Sequence, residues 1–596
     1  MKKKLNNIKD FITTFCASNK NFIIICFLSA LNLWVMHQFF VINGFLEDKL
    51  FIYSYVVNTC TLLVDIPIIL CLFLIVTFGR LKWSTYATYI FTLIWSFVNV
   101  FYGRFFFQYL SISAIFQAEG LTDDVVIKSM LAGFQWFDIY YLASLFLFLY
   151  TILRKKIKAV KLSWRKILLT ISIPFISMCL VFIIYSTYHF AKNDTRGNLK
   201  LYKLRLSELI FSPTEARNAY PNNVEYHAGV VRCLASELIE ILLPCELTKE
   251  QRQSIEKAYF PDNQRTTTHE VNPKIKNVVF ILLESFMSVT SDLVVNGKRI
   301  TPFLDSLKHT DDVYYNGNVH PNITIGESGD GQFIYMTGIL PLRAKYTVGE
   351  AKHNTLPYAL PRLLQNKMNI VHTEIVVPSS LGVWQQEKMN IAYNLKDCYS
   401  KSMVQGNQGE DLTDESVFDL AMRTSKTKNQ PFFSMVLSIS THQPYREIVD
   451  PNFTIEDNSL PQGYKYYLNA CHFADLQIEK YIDHLKQEGL YDNSLIIITS
   501  DHHAHLDALD MEGKISTDLP LYIINGNIDK SQSYDGPCNQ LDVYTTILDI
   551  LNINCKWRGL GHTLLLPNYT NSVDDKAYDL SEMIIMGDYF KLLPNS

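Results

Sequence analysis

The sequence predicts a five-helix transmembrane N-terminal domain followed by an α/β domain with a mainly parallel central sheet. Three observations lead there. Apolar residues crowd before residue 191, although the whole chain is balanced at 48% hydrophobic and 19% charged. Basic and acidic residues alternate between the connections of that apolar region. Beyond residue 273, short β-branched runs alternate with amphipathic segments. At 596 residues the chain is too long for one compact core. The composition shifts divide it into a transmembrane domain, 1–190, a juxtamembrane helical linker, 191–272, and an extracytoplasmic domain, 273–596.

Five windows are long enough to cross hydrocarbon, near 22–43, 52–78, 84–107, 137–153 and 167–190. Runs such as IPIILCLFLIVTF and FISMCLVFIIYS carry no charge and no polar face, so they do not read as helices of a soluble core. Asp65 lies inside the second window, either as a functional carboxylate or as a helix–helix hydrogen-bonding group. Lys2, Lys3 and Lys4 precede the first span. Arg80 and Lys82 follow the second, and Arg154, Lys155, Lys156, Lys158, Lys161, Arg165 and Lys166 fill the fourth connection. Positive charge of this kind stays cytoplasmic. The other connections carry Glu47, Asp48, Glu119, Asp123 and Asp124, so an odd number of spans puts the N-terminus inside and everything after residue 191 outside. The first span is too long, and too poor in cleavable small residues, to be a removable signal. In an oxidising compartment Cys233 and Cys245 are the easiest disulfide pair. The net charge of −4, with basic residues beside apolar runs, excludes a nucleic-acid footprint.

The linker is polar and helical, as in LRLSELIF and AGVVRCLASELIEILL. After it come KNVVFILLES, NIVHTEIVV, PFFSMVLSIS, SLIIITSDHH and LPLYIINGN. Near-continuous apolar strands separated by helices indicate a parallel sheet buried on both faces. Such sheets place their chemistry at the carboxyl ends of the strands.

Four clusters sit at such ends. Glu284 closes the run VVFILLE, and Asp501, His502, His503 and His505 follow LIIITS. A lone carboxylate here caps a helix as readily as it binds anything, but four ionisable groups directly after one apolar strand point to a metal centre. Carboxylate oxygen with imidazole nitrogen is the donor set of zinc or manganese. In NITIGESGDGQF, Ser328 stands among Gly326, Gly329 and Gly331, which let a backbone approach a phosphate and expose a hydroxyl. His442 in SISTHQPY is placed either to contact a phosphate oxygen or leaving group, or to lie idle in a surface loop.

Together these segments resemble the lipoteichoic acid synthase branch of the sulfatase and alkaline phosphatase superfamily, over most of the chain. ILLESF is similar to the strand ending in the branch's metal-binding glutamate, VNGKRITPFLDSL to the segment after it, GESGDGQF to its nucleophile loop and SDHH to its aspartate–histidine ligand pair. THQPY resembles the loop of its substrate-contacting histidine, and QLDVYTTILDIL with WRGLGHTLL resembles the close of its catalytic domain. The resemblance implies an alkaline-phosphatase/sulfatase-like fold and one divalent metal ion, manganese or zinc, on Glu284, Ser328, Asp501 and His502. It also implies Ser328 as nucleophile, His442 as catalytic and substrate-contacting, and His503 and His505 as possible supports around the ligands. The implied partners are a phospholipid donor and an envelope glycan or glycolipid acceptor, and the implied location is the bacterial cytoplasmic membrane.

Two departures stand out. Ser328 replaces the usual threonine, whose chemistry a primary hydroxyl shares. Where users of glycerol phosphate have a tryptophan and, two residues on, an arginine, VWQQEK keeps Trp384 but has Gln386, which offers no charged fork to a substrate. The expectation is therefore metal-dependent transfer of a phosphate-linked head group of the phosphoglycerol type. Phosphoethanolamine transfer, or phosphodiester or sulfate-ester hydrolysis, is the alternative. Sulfate-ester chemistry is disfavoured because Gly329, Asp330, Gly331 and Gln332 after Ser328 lack the proline and arginine of the sulfatase motif. A scaffold with a decayed site is disfavoured by the intact set of ligand candidates.

Overall fold

The computed structural model describes residues 20–43, 65–106, 108–116, 133–154, 161–162, 229–242, 246–259, 269–343, 345–404, 411–425 and 430–592. They form two compact units that divide at residues 244/245.

In the first unit, the helices Lys20–Ile42 and Trp136–Arg154 have the length and apolarity to cross a membrane, with mean hydropathy 1.8 and 1.6. At 1.5 Å per residue, 23 residues extend about 35 Å, enough for a hydrocarbon layer of roughly 30 Å. Leu81–Phe106 forms a third long helix, and Asp65–Val76 is a shorter apolar one. Helices thus lie within four of the five expected windows, two of them long and apolar enough to span, while residues 52–64 of the second window and the whole of the fifth, 167–190, lie outside the described residues, as does Cys245. The outer surface of the unit is apolar, with Phe27, Leu142, Phe146 and Leu153 exposed, and its interior combines apolar clusters around Leu33, Met36 and Phe40 with a polar stripe. In that stripe Asn32, buried, accepts from Tyr140 Oη and Ser144 Oγ through Oδ1 at 3.0 Å each. Such interhelical hydrogen bonds suit helices that associate in lipid. Asp65 takes the structural role: its carboxylate accepts from the amides of Val230 (3.0 Å) and Val231 (3.4 Å), which open the helix Val230–Leu242.

Within the expected linker, Val230–Leu242 packs in the first unit through Val230, Val231 and Leu234. The helix Lys249–Tyr259 instead packs in the second unit against Asp575–Met586.

The second unit is built on an eight-stranded sheet. Its strands, in chain order, are β1 (Asn277–Leu283), β4 (Val313–His320), β5 (His372–Val376), β6 (Asp397–Tyr399), β7 (Phe432–Leu437), β8 (Ser494–Ser500), β9 (Leu519–Ile524) and β10 (Cys538–Asn539). β2 (Val294–Val295) and β3 (Lys298–Arg299) make a separate hairpin. The sheet order is β10-β4-β9-β8-β1-β7-β5-β6, and β9 alone runs against the rest. Every residue of β1, β8 and β9 is buried, as expected of strands covered by helices on both faces. All five apolar runs are strands. The central pair fixes the site: β1 and β8 are parallel neighbours with Leu283 opposite Ser500, so Glu284 and Asp501 leave the sheet side by side.

Candidate active site and metal centre

Three loops at the carboxyl ends of β1, β7 and β8 converge with the start of the helix Glu327–Thr337. Glu284, Asp501 and His502 are buried, and a donor atom from each lies within 4.8 Å of the other two. His502 Nε2 is 3.3 Å from Glu284 Oε1 and 3.7 Å from Asp501 Oδ2. His502 Nδ1 lies 2.8 Å from the carbonyl of His503. A carbonyl only accepts, so Nδ1 carries a proton; burial opposes a second one, but the Asp501 and Glu284 carboxyls outweigh it and hold His502 well above its ordinary value, with the second proton on Nε2, the atom that would face a metal in its place. Ser328 Oγ completes the group, 3.1 Å from Glu284 Oε2 and 3.1 Å from His502 Nε2.

The loops are tied together through their backbones. The Glu284 amide donates to Ser438 Oγ at 2.9 Å, and Thr441 Oγ1 donates to the Glu284 carbonyl, which joins the His442 loop to β1. Asp501 Oδ1 accepts from the amides of Ser285 (2.9 Å) and His502 (2.7 Å), and Gln540 Nε2 donates to the Asp501 carbonyl at 2.6 Å. The helix Glu327–Thr337 meets this loop at a glycine for a steric reason. A Cβ on Gly331 would lie 2.3 Å from the Asp501 carbonyl oxygen.

Electrostatically the cluster is short of positive charge. Burial, and then the Glu284 carboxylate beside it, pushes Asp501 up to about 8. Burial also opposes ionisation of Glu284, but the His502 imidazole outweighs it and holds that carboxyl well below the usual range. Two buried carboxylates and an imidazole lone pair at this spacing fit a divalent cation, which removes their mutual repulsion.

The remaining predicted residues are distributed around this centre. His442 is half-buried, on the loop that Thr441 ties to the Glu284 carbonyl. Trp384 comes next to the helix Glu327–Thr337, with its Cε3 3.5 Å from where a Cβ on Gly329 would sit, and it adopts φ +54. Gln386 is buried and donates through Nε2 to Asn390 Oδ1 at 2.6 Å. His503 Nδ1 lies 2.9 Å from the Ala504 carbonyl, and burial lowers this imidazole. His505 Nε2 is 3.2 Å from Glu327 Oε1. Burial alone would lower His505, but the Glu327 carboxylate raises it.

Three carboxylates that the sequence did not single out belong to the site. Glu327 is the partner of His505. Asp330 Oδ2 accepts from Thr324 N (3.0 Å), Thr324 Oγ1 (2.8 Å) and Gly326 N (2.9 Å), pinning the turn that presents Ser328. Asp414 Oδ1 accepts from Ile439 N (2.6 Å) and Ser440 N (2.9 Å), fixing the loop that leads to His442. Glu327 and Asp330 stand inside GESGD, the segment read for Ser328 and its glycines alone. Asp414 gave no signal.

A parallel sheet with a buried carboxylate–histidine cluster facing a hydroxyl at a helix start defines a sulfatase-type phosphoryl or sulfuryl transfer domain, and residues 276–553 match the family model described as Sulfatase. Curated relatives narrow the class. The chain is 23% identical over 513 residues to the lipoteichoic acid synthase of Staphylococcus saprophyticus, covering 80% of this chain and 74% of that one. It is 24% identical over 497 residues to the lipoteichoic acid synthase of Staphylococcus aureus, covering 77% and 71%. Residues 276–553 therefore carry a Sulfatase-type domain, and the chain is lipoteichoic acid synthase-like over most of its length, an enzyme of the phosphotransferase kind. The integral membrane lipooligosaccharide phosphoethanolamine transferase A of Neisseria meningitidis shares its fold, with 14% identity, TM-score 0.52, and coverage of 92% of this chain and 99% of that one.

Proposed function

We infer that the protein transfers a phosphate-linked head group from a membrane phospholipid to an envelope glycan or lipid acceptor through a covalent intermediate on Ser328. The observation that carries this reading is the position of Ser328 Oγ, 3.1 Å from both a carboxylate oxygen and an imidazole nitrogen of the ligand cluster. Glu284, Asp501, His502 and Ser328 would hold one divalent ion, manganese or zinc, which when bound supplies the Lewis acidity that lowers the hydroxyl pKa and offsets phosphoryl charge. Ser328 Oγ attacks phosphorus, diacylglycerol leaves with the proton on its oxygen, and an acceptor hydroxyl displaces Ser328 in a second step. His442, on the loop tied to Glu284, donates to a phosphoryl oxygen or to the leaving group. Trp384 walls the pocket beside the nucleophile helix.

The head group is phosphoglycerol, as the named branch suggests, or phosphoethanolamine. The second reading is favoured by Gln386, whose buried amide is engaged with Asn390 and supplies no charge. Residues 1–190 supply five spans with the N-terminus cytoplasmic, 191–272 lead out of the bilayer, and 273–596 act on the outer face of a bacterial cytoplasmic membrane. Membrane anchoring keeps the lipid donor at the base of the domain.

The test is diacylglycerol release from mixed phospholipid vesicles by the full-length protein, with metal analysis of the same preparation. Release by the wild type, absent in Ser328→Ala and abolished by a chelator, is expected. A preparation that holds no metal and releases no diacylglycerol would return the chain to a scaffold role.

A further inference from the structure

Glu327 immediately precedes the nucleophile and adopts φ +40, a conformation that residues with side chains rarely take. Backbone strain of this kind persists where the surroundings over-determine it, and it concentrates at functional sites. Here it sets a carboxylate at the first turn of the helix, one residue before Ser328. Oε1 reaches His505 Nε2 at 3.2 Å, while 17% of the Glu327 side chain stays exposed. Among the described residues the carboxylate has His505 as its one hydrogen-bonding partner, so acceptor capacity remains for a ligand. Glu327 adds a third carboxylate to those of Glu284 and Asp501, in a site where position 386 brings no cation.

We propose that Glu327 is a specificity-determining residue that selects a phospholipid whose head group ends in an ammonium, phosphoethanolamine, over the uncharged glycerol of phosphatidylglycerol. The inference rests on the transferase reading above and names the donor of that same site. With phosphorus at Ser328 Oγ, the head-group amine is two carbons from a phosphate oxygen, beside the residue that precedes Ser328 in the chain. An ammonium on a partly buried carboxylate makes a charge-assisted hydrogen bond, about twice as strong as a neutral one, whereas a glycerol hydroxyl brings no charge of its own. A zwitterionic lipid also enters a site rich in carboxylates more readily than one with net charge −1. In the covalent step the Ser328 Oγ–phosphorus bond forms and the bond from phosphorus to the diacylglycerol oxygen breaks. The serine proton ends on diacylglycerol, and ethanolamine stays ester-linked to the phosphorus on Ser328.

The test compares diacylglycerol release by the full-length protein from vesicles containing phosphatidylethanolamine and from vesicles containing phosphatidylglycerol. The wild type is expected to favour the former by about tenfold. Glu327→Gln should collapse that ratio toward one, while His505→Gln, which leaves the carboxylate in place, should keep it above one. Calorimetry with O-phosphoethanolamine and glycerol phosphate gives a readout independent of turnover, in which the wild type binds the amine more tightly and Glu327→Gln does not. A wild type that favours phosphatidylglycerol, or a Glu327→Gln variant that slows both donors equally, overturns the assignment while leaving the transferase intact. Release from neither vesicle overturns the transferase reading and this inference with it.

Discussion

Gly331→Ala tests how tightly the nucleophile helix must seat against the ligand loop. The added Cβ would lie 2.3 Å from the Asp501 carbonyl oxygen and 2.8 Å from the Asp501 C and Cα, all backbone atoms that no rotamer change can move. Ordinary contact begins near 3.4 Å, so helix and loop must part by about 1 Å. Ser328 Oγ then leaves hydrogen-bonding range of His502 Nε2 and Glu284 Oε2, both now at 3.1 Å. A misplacement of about 1 Å costs roughly 100-fold in rate, equivalent to about 2.7 kcal/mol of transition-state stabilisation. Overpacking costs roughly 1–3 kcal/mol of stability, but exchanging a helical glycine for alanine returns about 1 kcal/mol. The variant should therefore melt only a few degrees lower while losing about two orders of magnitude in diacylglycerol release. Gly329→Ala is the control. Its nearest contacts, Trp384 Cε3 and the two Val348 methyls, lie at 3.5 Å, so the methyl fits and activity should stay within a few-fold of wild type. Gly331→Ala activity within threefold of wild type, or an equal loss in Gly329→Ala, would refute this steric account.

Two further perturbations follow from buried carboxylates. Burial pushes Asp414 up to about 6, above its unfolded value of about 3.9, so the native state binds the extra proton between about pH 4 and 6 and stability falls as pH rises through that window. The cost is on the order of 3 kcal/mol, and Asp414→Asn should remove it; melting curves of wild type and variant that shift in parallel from pH 4 to 7 would show the reasoning wrong. In the first unit, Asp65→Ala leaves the amides of Val230 and Val231 without their acceptor and should cost about 1–2 kcal/mol, with Asp65→Asn losing less. Thermal melting of the detergent-solubilised protein checks this, and equal melting of Asp65→Ala and wild type would contradict it.

What the sequence disclosed follows from which signals are local. β1, β7, β8 and β9 announce themselves because burial on both faces makes them near-continuous apolar runs, β5 shows one only through the apolar residues flanking His372, Thr373 and Glu374, and Glu284, Asp501 and His502 are conspicuous because they end such runs. β4, with the sequence VYYNGNVH, hides its strand behind asparagine and glycine, and β6 and β10 are too short to carry a pattern. The antiparallel course of β9 has no signature in its composition. Glu327 with His505, and Asp414, acquire their roles only when segments far apart in sequence meet, so no window of sequence reveals them, whereas Asp330 bonds within its own turn, to Thr324 and Gly326, and was missed although its partners are local. Gln386 was visible as a departure from a family pattern, but its partner, Asn390, emerges only once the helix Gln386–Tyr393 forms. The inward polar stripe of the first unit was masked in the same way, because hydropathy averages around a helix and erases which side faces lipid.

The most direct measurement is the intact mass of the purified protein after incubation with phospholipid, followed by peptide mapping, for wild type and Ser328→Ala. A single head-group phosphodiester on the peptide containing Ser328, and no adduct on the variant, is the predicted result. An adduct on another residue, or turnover with Ser328 removed, would contradict the covalent mechanism at its centre.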